Sequence, residues 1–250
     1  MNIFEDDIVT PINLEDFEKI FTPEIRQVVS AIRKYGFDIR VVGGAVRDFL
    51  LGKSPRDVDV ATDADPAELI FVFDLEGIHY DAKGIKHGTV KAVFGDDKVD
   101  VTSIAYKIDV SNNDMQIIKG ENWEEDALGR DLTINSLSLD MDGNIHDYVN
   151  GIDDLNTSTI RFNKSQYIRI KKDPEILLRW FKALAIFPNP KWPKEDLNLI
   201  KEYLPTLTQI KDNPKVDKTL GGLLASPNGP SVIEFMCTLG VNNFIDLNCM

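Results

Sequence analysis

Ile39-Arg40-Val41-Val42-Gly43-Gly44-Ala45-Val46-Arg47-Asp48 runs from a short β-branched stretch through a glycine pair into a helical pattern that reaches Leu51. The run predicts a strand over 39–42 and a helix over 45–51. Strand, glycine turn and helix start together can make an anion site, because unpaired backbone N–H groups and the helix dipole point at one place. A glycine pair can also serve simply to allow a tight turn. The chain has neither Gly-x-x-x-x-Gly-Lys-Ser/Thr nor Gly-x-Gly-x-x-Gly, so P-loop and dinucleotide-binding sites are excluded.

Nine residues further on comes Asp57-Val58-Asp59-Val60-Ala61-Thr62. A strand period of two would put both carboxylates on one face, with Val58 and Val60 packed on the other. Two adjacent negative charges repel unless a cation sits between them, and hard oxygen ligands on a rigid strand suit Mg²⁺. Asp-x-Asp also arises at solvated strand ends. Beside the glycine turn, it reads as the floor of a metal-dependent phosphoryl-transfer site.

Working outward, Leu14 to Tyr35 carries apolar residues at helical spacing, and Gly36 is placed to end that helix. From Ile39 to about Arg161 short β-branched runs alternate with short helices, which predicts an α/β (α+β) fold with a mixed sheet and flanking helices. Tyr106 to Glu125 is rich in Asn, Asp, Gln and Glu and reads as a long loop beside the site. After Arg161 the pattern turns helical, broken by Pro188, Pro190, Pro193, Pro205 and Pro214.

With 250 residues the chain can bury an ample core. No run of eighteen apolar residues occurs, and Met1 to Asp7 is acidic with no apolar h-region, so the expectation is a cytoplasmic protein without membrane attachment. Two cysteines and three histidines offer neither a disulfide framework nor a zinc site, so the chemistry must rest on carboxylates. A net charge of −13 opposes nucleic-acid binding except where positive charge is concentrated. Arg161, Lys164, Arg169, Lys171 and Lys172 form one such stretch, free of acidic residues; it is either a contact for RNA or triphosphate, or a solvated helix face.

Several of these segments, in order, resemble class II tRNA nucleotidyltransferases (CCA-adding enzymes) and bacterial poly(A) polymerases. The resemblance rests on Gly43-Gly44-Ala45-Val46-Arg47-Asp48, Leu50-Leu51-Gly52 and Arg56-Asp57-Val58-Asp59-Val60-Ala61-Thr62. It continues through Gly84-Ile85-Lys86-His87-Gly88-Thr89-Val90, Val99-Asp100-Val101-Thr102-Ser103 and Arg130-Asp131-Leu132-Thr133-Ile134-Asn135-Ser136. Asp147, Gly151, Asp153, Leu155, Ile160 and Arg161 follow the spacing that closes the family's catalytic head. The match runs from about Asp38 to Leu184. It implies an N-terminal helical segment over 1–37, a catalytic head over 38–162 and a small all-helical neck over 163–250.

The same resemblance assigns roles. Asp57 and Asp59 would hold two Mg²⁺ ions, with Asp100 on a neighbouring strand completing the set unless it merely faces water. Gly43 and Gly44 would leave room for a triphosphate, and Arg47 would supply positive charge or pair with Asp48 or Asp57. Asp131 would accept from the ribose 2′-hydroxyl and Arg130 would touch phosphate or base, while Asn135 would tie its segment to the sheet or cap a helix. Asp173 and Arg179 belong to the base-reading helix. The implied partners are CTP and ATP and an RNA 3′ end, that of tRNA in particular.

The chain departs from the family at several base-reading positions. Family members carry Glu-Asp-x-x-Arg where this chain has Lys172-Asp173-Pro174-Glu175-Ile176, and an arginine where it has Gly129; a later family arginine is Lys182. Ile176 cannot donate a hydrogen bond, so restoring Ile176→Arg is expected to sharpen the choice of CTP and ATP. Family members also continue into body and tail domains that grip tRNA, a surface that a homo-oligomer of this chain could restore. Three readings follow: an active tRNA-directed enzyme, a poly(A)-adding relative with relaxed base choice, or a non-catalytic nucleotide- or RNA-binding paralogue.

Overall fold

The computed structural model describes residues 20–55, 57–110, 114–119 and 122–247. The chain divides into two compact units, Met1–Leu128 with Asn135–Val149, and Gly129–Ile134 with Asn150–Met250. This division differs from the expected boundary at 162/163. Leu132 bridges Phe162, and the Thr133 hydroxyl donates to Asp154 at 2.7 Å, so the short 129–134 segment packs with the helical part of the chain.

The first unit is built on a seven-stranded mixed sheet. Its strands are β1 (Ile39–Val42), β2 (Asp59–Thr62), β3 (His79–Asp81), β4 (Thr89–Phe94), β5 (Asp97–Ser103), β8 (Ser138–Leu139) and β9 (Ile145–His146). Their spatial order is β3-β4-β5-β2-β1-β8-β9, and only the β2–β5 pair is parallel. Register decides what each face carries. Ile39, Val41, Val60, Val90, Ala92, Val99 and Val101 share one face by alternation, and all are buried. Helices α1 (Pro23–Lys34) and α3 (Pro66–Glu76) pack on strands of this sheet and on each other. The opposite face carries Lys91, Asp100, Asp59, Ala61, Val42 and Arg40, a mixture of charged and small residues.

Local chemistry explains the helix ends. The reading of one helix from Leu14 to Tyr35 is corrected from residue 20 onward; its first part lies outside the described residues. A new helix begins at Pro23, because the Thr22 hydroxyl accepts the Ile25 N–H at 3.3 Å and proline fits the first helical position. As expected, it closes at Gly36, whose N–H donates to Arg33 while that of Phe37 donates to Ile32, a Schellman arrangement. In α3, Asp65 and Glu68 cap reciprocally and Pro66 follows the cap.

The expected long loop over 106–125 is also corrected. β6 (Ala105–Val110) pairs antiparallel with β7 (Asp114–Lys119), and α4 (Trp123–Gly129) follows. Tyr106, Ile108 and Val110 alternate with Lys107 and Asp109, a period-2 signal that the surrounding polar residues obscure.

The second unit is helical: α5 (Gly151–Asn156), α6 (Gln166–Arg169), α7 (Glu175–Leu184), α8 (Lys194–Tyr203), α9 (Pro214–Leu224) and α10 (Gly229–Thr238). Trp180 and Phe181 of α7 are fully buried, with Trp180 edge-on to Trp192 and Trp192 stacked on Phe235 at 5.0 Å. Cys237 lies in α10, and Cys249 lies outside the described residues. No helix among the described residues is long and apolar enough to cross a membrane.

Candidate active site

The strand–turn–helix run folds as its residues require. β1 ends at Val42, Gly43 turns with φ 75° and ψ −133°, and α2 (Gly44–Leu50) begins at once. That backbone conformation is essentially reserved for glycine. The Gly43 N–H donates to the Leu137 carbonyl at 3.0 Å, which fixes the turn against the segment leading to β8. Arg47, one turn into α2, has a structural role: its guanidinium donates to Asp48 at 2.8 and 2.9 Å and to Asn135 Oδ1 at 2.6 Å. Neither of the two roles weighed for Asn135 is the one seen: its Oδ1 accepts from the Arg47 side chain of α2.

The acidic residues gather at the start of the parallel pair. Asp59 opens β2 opposite Val42, and the pairings Val60–Val101 and Ala61–Thr102 place Asp59 and Asp100 on neighbouring strands with the same facing. Asp57 precedes the strand in a bend, so the expected strand alternation does not govern it; Val58 is only half-buried while Val60 is fully buried. Asp57, Asp59 and Asp100 nonetheless line one cavity of about 690 Å³, together with Thr22 and Glu24 at the start of α1 and Lys98 of β5. Gly43, Gly44 and Arg47 are not among its lining residues.

This donor set suits a hard divalent cation, since every candidate ligand is a carboxylate oxygen. The side chains do not converge as placed: among the described residues no three His, Cys, Asp or Glu side chains form a metal-holding group. Asp100 is engaged elsewhere. Lys91, its cross-strand partner on β4, reaches Oδ1 at 2.7 Å and lies closer still to Oδ2.

The second unit holds the remaining candidates. Arg179 of α7 forms ion pairs with Asp131, with Asp173 at 3.0 Å and with Glu175 at 3.7 Å. Burial alone would make this guanidinium less basic, but Asp131 and then Asp173 more than offset it, and the net shift is upward. Three of the four candidates in this unit are thus in one cluster. Arg130 is tied by its backbone, its carbonyl accepting from Asn163 at 2.7 Å and Gln166 at 2.9 Å.

Ile176 is 0% exposed. In this chain α7 turns the position into its apolar core face, with Leu177, Trp180 and Phe181 as buried neighbours along the helix. In the basic stretch, Arg161 is held by Asp154 at 2.9 and 3.1 Å and Arg169 by the Gly129 carbonyl, while Lys164 and Lys171 are exposed.

Sequence reasoning missed Lys91, Glu175 and the buried acid Asp196. Lys91 had a readable signal. Gly95-Asp96 between two β-branched runs is a two-residue hairpin turn, and with Phe94 opposite Asp97 the register brings Lys91 to Asp100. Asp196 accepts from the Phe162 N–H at 2.7 Å and the Tyr167 hydroxyl at 3.1 Å, contacts too distant in sequence to foresee.

A mixed sheet with a glycine turn on one strand and carboxylates at the head of the adjoining parallel pair defines a nucleotidyltransferase-type catalytic head. Comparison with known proteins points the same way. Residues 39–161 match the Poly A polymerase head domain, and the chain is similar to CCA-adding enzymes and poly(A) polymerases. The chain is 33% identical to CCA tRNA nucleotidyltransferase 1, mitochondrial, of Danio rerio over 237 residues, covering 93% of this chain and 54% of that protein. It is 34% identical to a CCA-adding enzyme of Enterococcus faecalis over 191 residues, 75% of this chain and 45% of that one. Among solved structures, the Bacillus stearothermophilus CCA-adding enzyme in complex with CTP superposes with a TM-score of 0.74 at 26% identity, covering 91% of this chain and 55% of that one. The chain thus spans about half the length of these curated relatives.

Proposed function

We propose that this chain is a template-independent RNA nucleotidyltransferase that adds nucleotides from CTP and ATP to an RNA 3′ end, the tRNA CCA end foremost. The observation that carries this reading is the cavity lined by Asp57, Asp59 and Asp100 within a poly A polymerase head segment. The primer 3′-hydroxyl forms a bond to the α-phosphorus of the nucleotide, the bond to pyrophosphate breaks, and the hydroxyl proton passes to solvent. Mg²⁺ held by these acids would lower the pKa of the hydroxyl and neutralise the triphosphate. Gly43 allows close backbone approach, and Arg47 keeps the glycine turn and α2 in register through Asn135. Asp131, oriented by Arg179, would accept from the ribose 2′-hydroxyl, and Asp173 would meet the base.

The burial of Ile176 favours a second reading of specificity within the same chemistry. Base choice then rests on Asp173 and Arg179, and it is broader than strict CTP and ATP selection. The exposed Lys164 and Lys171 offer RNA-facing charge, and self-association would enlarge that surface.

Incubating tRNA that lacks its CCA end with each labelled nucleotide and Mg²⁺ tests the proposal. Incorporation is expected from the wild type, and none from Asp57→Ala or Asp59→Ala, with their circular dichroism and melting unchanged because exposed carboxylates add little to the core. Incorporation that survives in the double variant overturns the assignment. Absence of incorporation from all four nucleotides in the wild type favours the non-catalytic paralogue.

A further inference from the structure

We propose that Lys91 is a built-in counter-cation for the metal site: it holds Asp100 toward β4 and sets the affinity at which that acid is released to a divalent ion. The inference rests on the metal-site reading of the cavity. Its basis is geometric. β4 and β5 pair across the Gly95-Asp96 turn so that Lys91 lies directly opposite Asp100, with the Thr89–Thr102 hydroxyl pair, 3.0 Å apart, next along the same edge of the pairing. One ammonium takes both oxygens of Asp100. Asp57, Asp59 and Asp100 line the same cavity, yet no three acidic side chains converge among the described residues. The hold of Lys91 engages the Asp100 oxygens that such a group would need.

Both partners are more than one-third exposed. A pair of this kind contributes little to the fold, so Asp100 can leave it without unfolding the sheet. Its electrostatic effect on an incoming ion is larger. A unit positive charge about 6 Å from a divalent cation changes the affinity roughly tenfold even at the dielectric constant of water. Lys91 therefore neutralises the acid when no ion is present and opposes tight metal capture, which leaves the ion to enter with the negatively charged nucleotide.

The test is calorimetric titration of the full chain with Mn²⁺ alone. Lys91→Met is expected to bind Mn²⁺ about tenfold more tightly than wild type, with a melting temperature in metal-free buffer close to that of wild type. Lys91→Arg keeps the charge and should bind as wild type does. Lys98→Met removes a charge from the cavity wall without touching the pair and should tighten Mn²⁺ binding less than Lys91→Met does; equal tightening overturns a specific hold of Lys91 on Asp100. Unchanged or weaker binding in Lys91→Met overturns the proposal. Asp59→Asn separates the two layers of the argument. If it abolishes Mn²⁺ binding while Lys91→Met has no effect, only the role of Lys91 falls. If it binds as wild type does, the metal-site reading falls and the proposal with it.

Discussion

Arg179→Met is the most informative single change in the second unit, because one guanidinium holds Asp131, Asp173 and Glu175 together. Methionine keeps the apolar stem, so the change isolates the charge. The Arg179 side chain is 38% exposed and its partners range from 24% to 41%. That places the cluster between a surface pair, worth about 0.2–1 kcal/mol, and a buried one whose breakage costs about 3–5 kcal/mol. The change breaks the close ion pairs to Asp131 and Asp173 and leaves three carboxylates facing one another, so the expected cost is about 2 kcal/mol. For a chain of this length that is a fall in Tm of about 4–8 °C. Asp131→Asn removes one partner and should cost about 1 kcal/mol. The double variant should then cost about 2 rather than 3 kcal/mol, since Asp131→Asn also relieves the repulsion that Arg179→Met creates. Urea unfolding of the four proteins measures this cycle. Costs additive to within about 0.3 kcal/mol would refute the claim that the three acids depend on Arg179.

Three further outcomes are expected. Gly43→Ala forces a side chain into a glycine-only conformation at about 1–3 kcal/mol and should lower Tm by several degrees, whereas a Cβ on Gly44 meets only the guanidinium of Arg47 at 3.4 Å and should leave Tm nearly unchanged; equal melting curves would contradict this. Burial raises the Asp196 carboxyl above the ordinary value of 3.8, against the hydrogen bonds from Phe162 and Tyr167. The native state therefore holds that proton more tightly than the unfolded chain does, and stability is lost as pH rises from 3.8 through the raised native value. Asp196→Asn removes the titration, so its stability relative to wild type should climb with pH; a constant difference from about pH 3 to 7 in urea melts would refute it. Ile176→Arg places an unpaired charge in the core of α7 and should cost more than about 3 kcal/mol; unchanged melting together with sharper CTP and ATP choice would show that the position is open after all.

The parts of the fold legible in the sequence are those set by neighbours along the chain. Val41-Val42-Gly43-Gly44 specifies strand, turn and helix within a few residues, and the structure follows it closely. Asp57 and Asp59 are legible as a pair, but the place where the strand begins is not, because pairing of Asp59 with Val42 depends on a partner strand. Composition hides the β6–β7 pair, although its alternation is present in the sequence. Asp131 and Arg179 are 48 residues apart and meet only through the packing of α7, so no local rule could join them. The family resemblance singles out both residues without their contact.

The distribution of charge reconciles a net charge of −13 with the anionic substrates proposed above. Several acids already have a cation in place: Asp100 has Lys91, Asp131 and Asp173 share Arg179, and the buried Asp154 has Arg161. These pairs remove local negative potential that a triphosphate would otherwise meet, and at cellular salt the remaining surface charge is screened beyond about 8 Å. Asp57 and Asp59 share one cavity with Asp100 and Glu24, so acids outnumber the lysine on its wall, Lys98. An added divalent cation gains most from Coulomb attraction where carboxylates are in excess. On the proposed reading, that contrast with the acids paired elsewhere, more than the overall charge, would direct the chemistry to the head of β2.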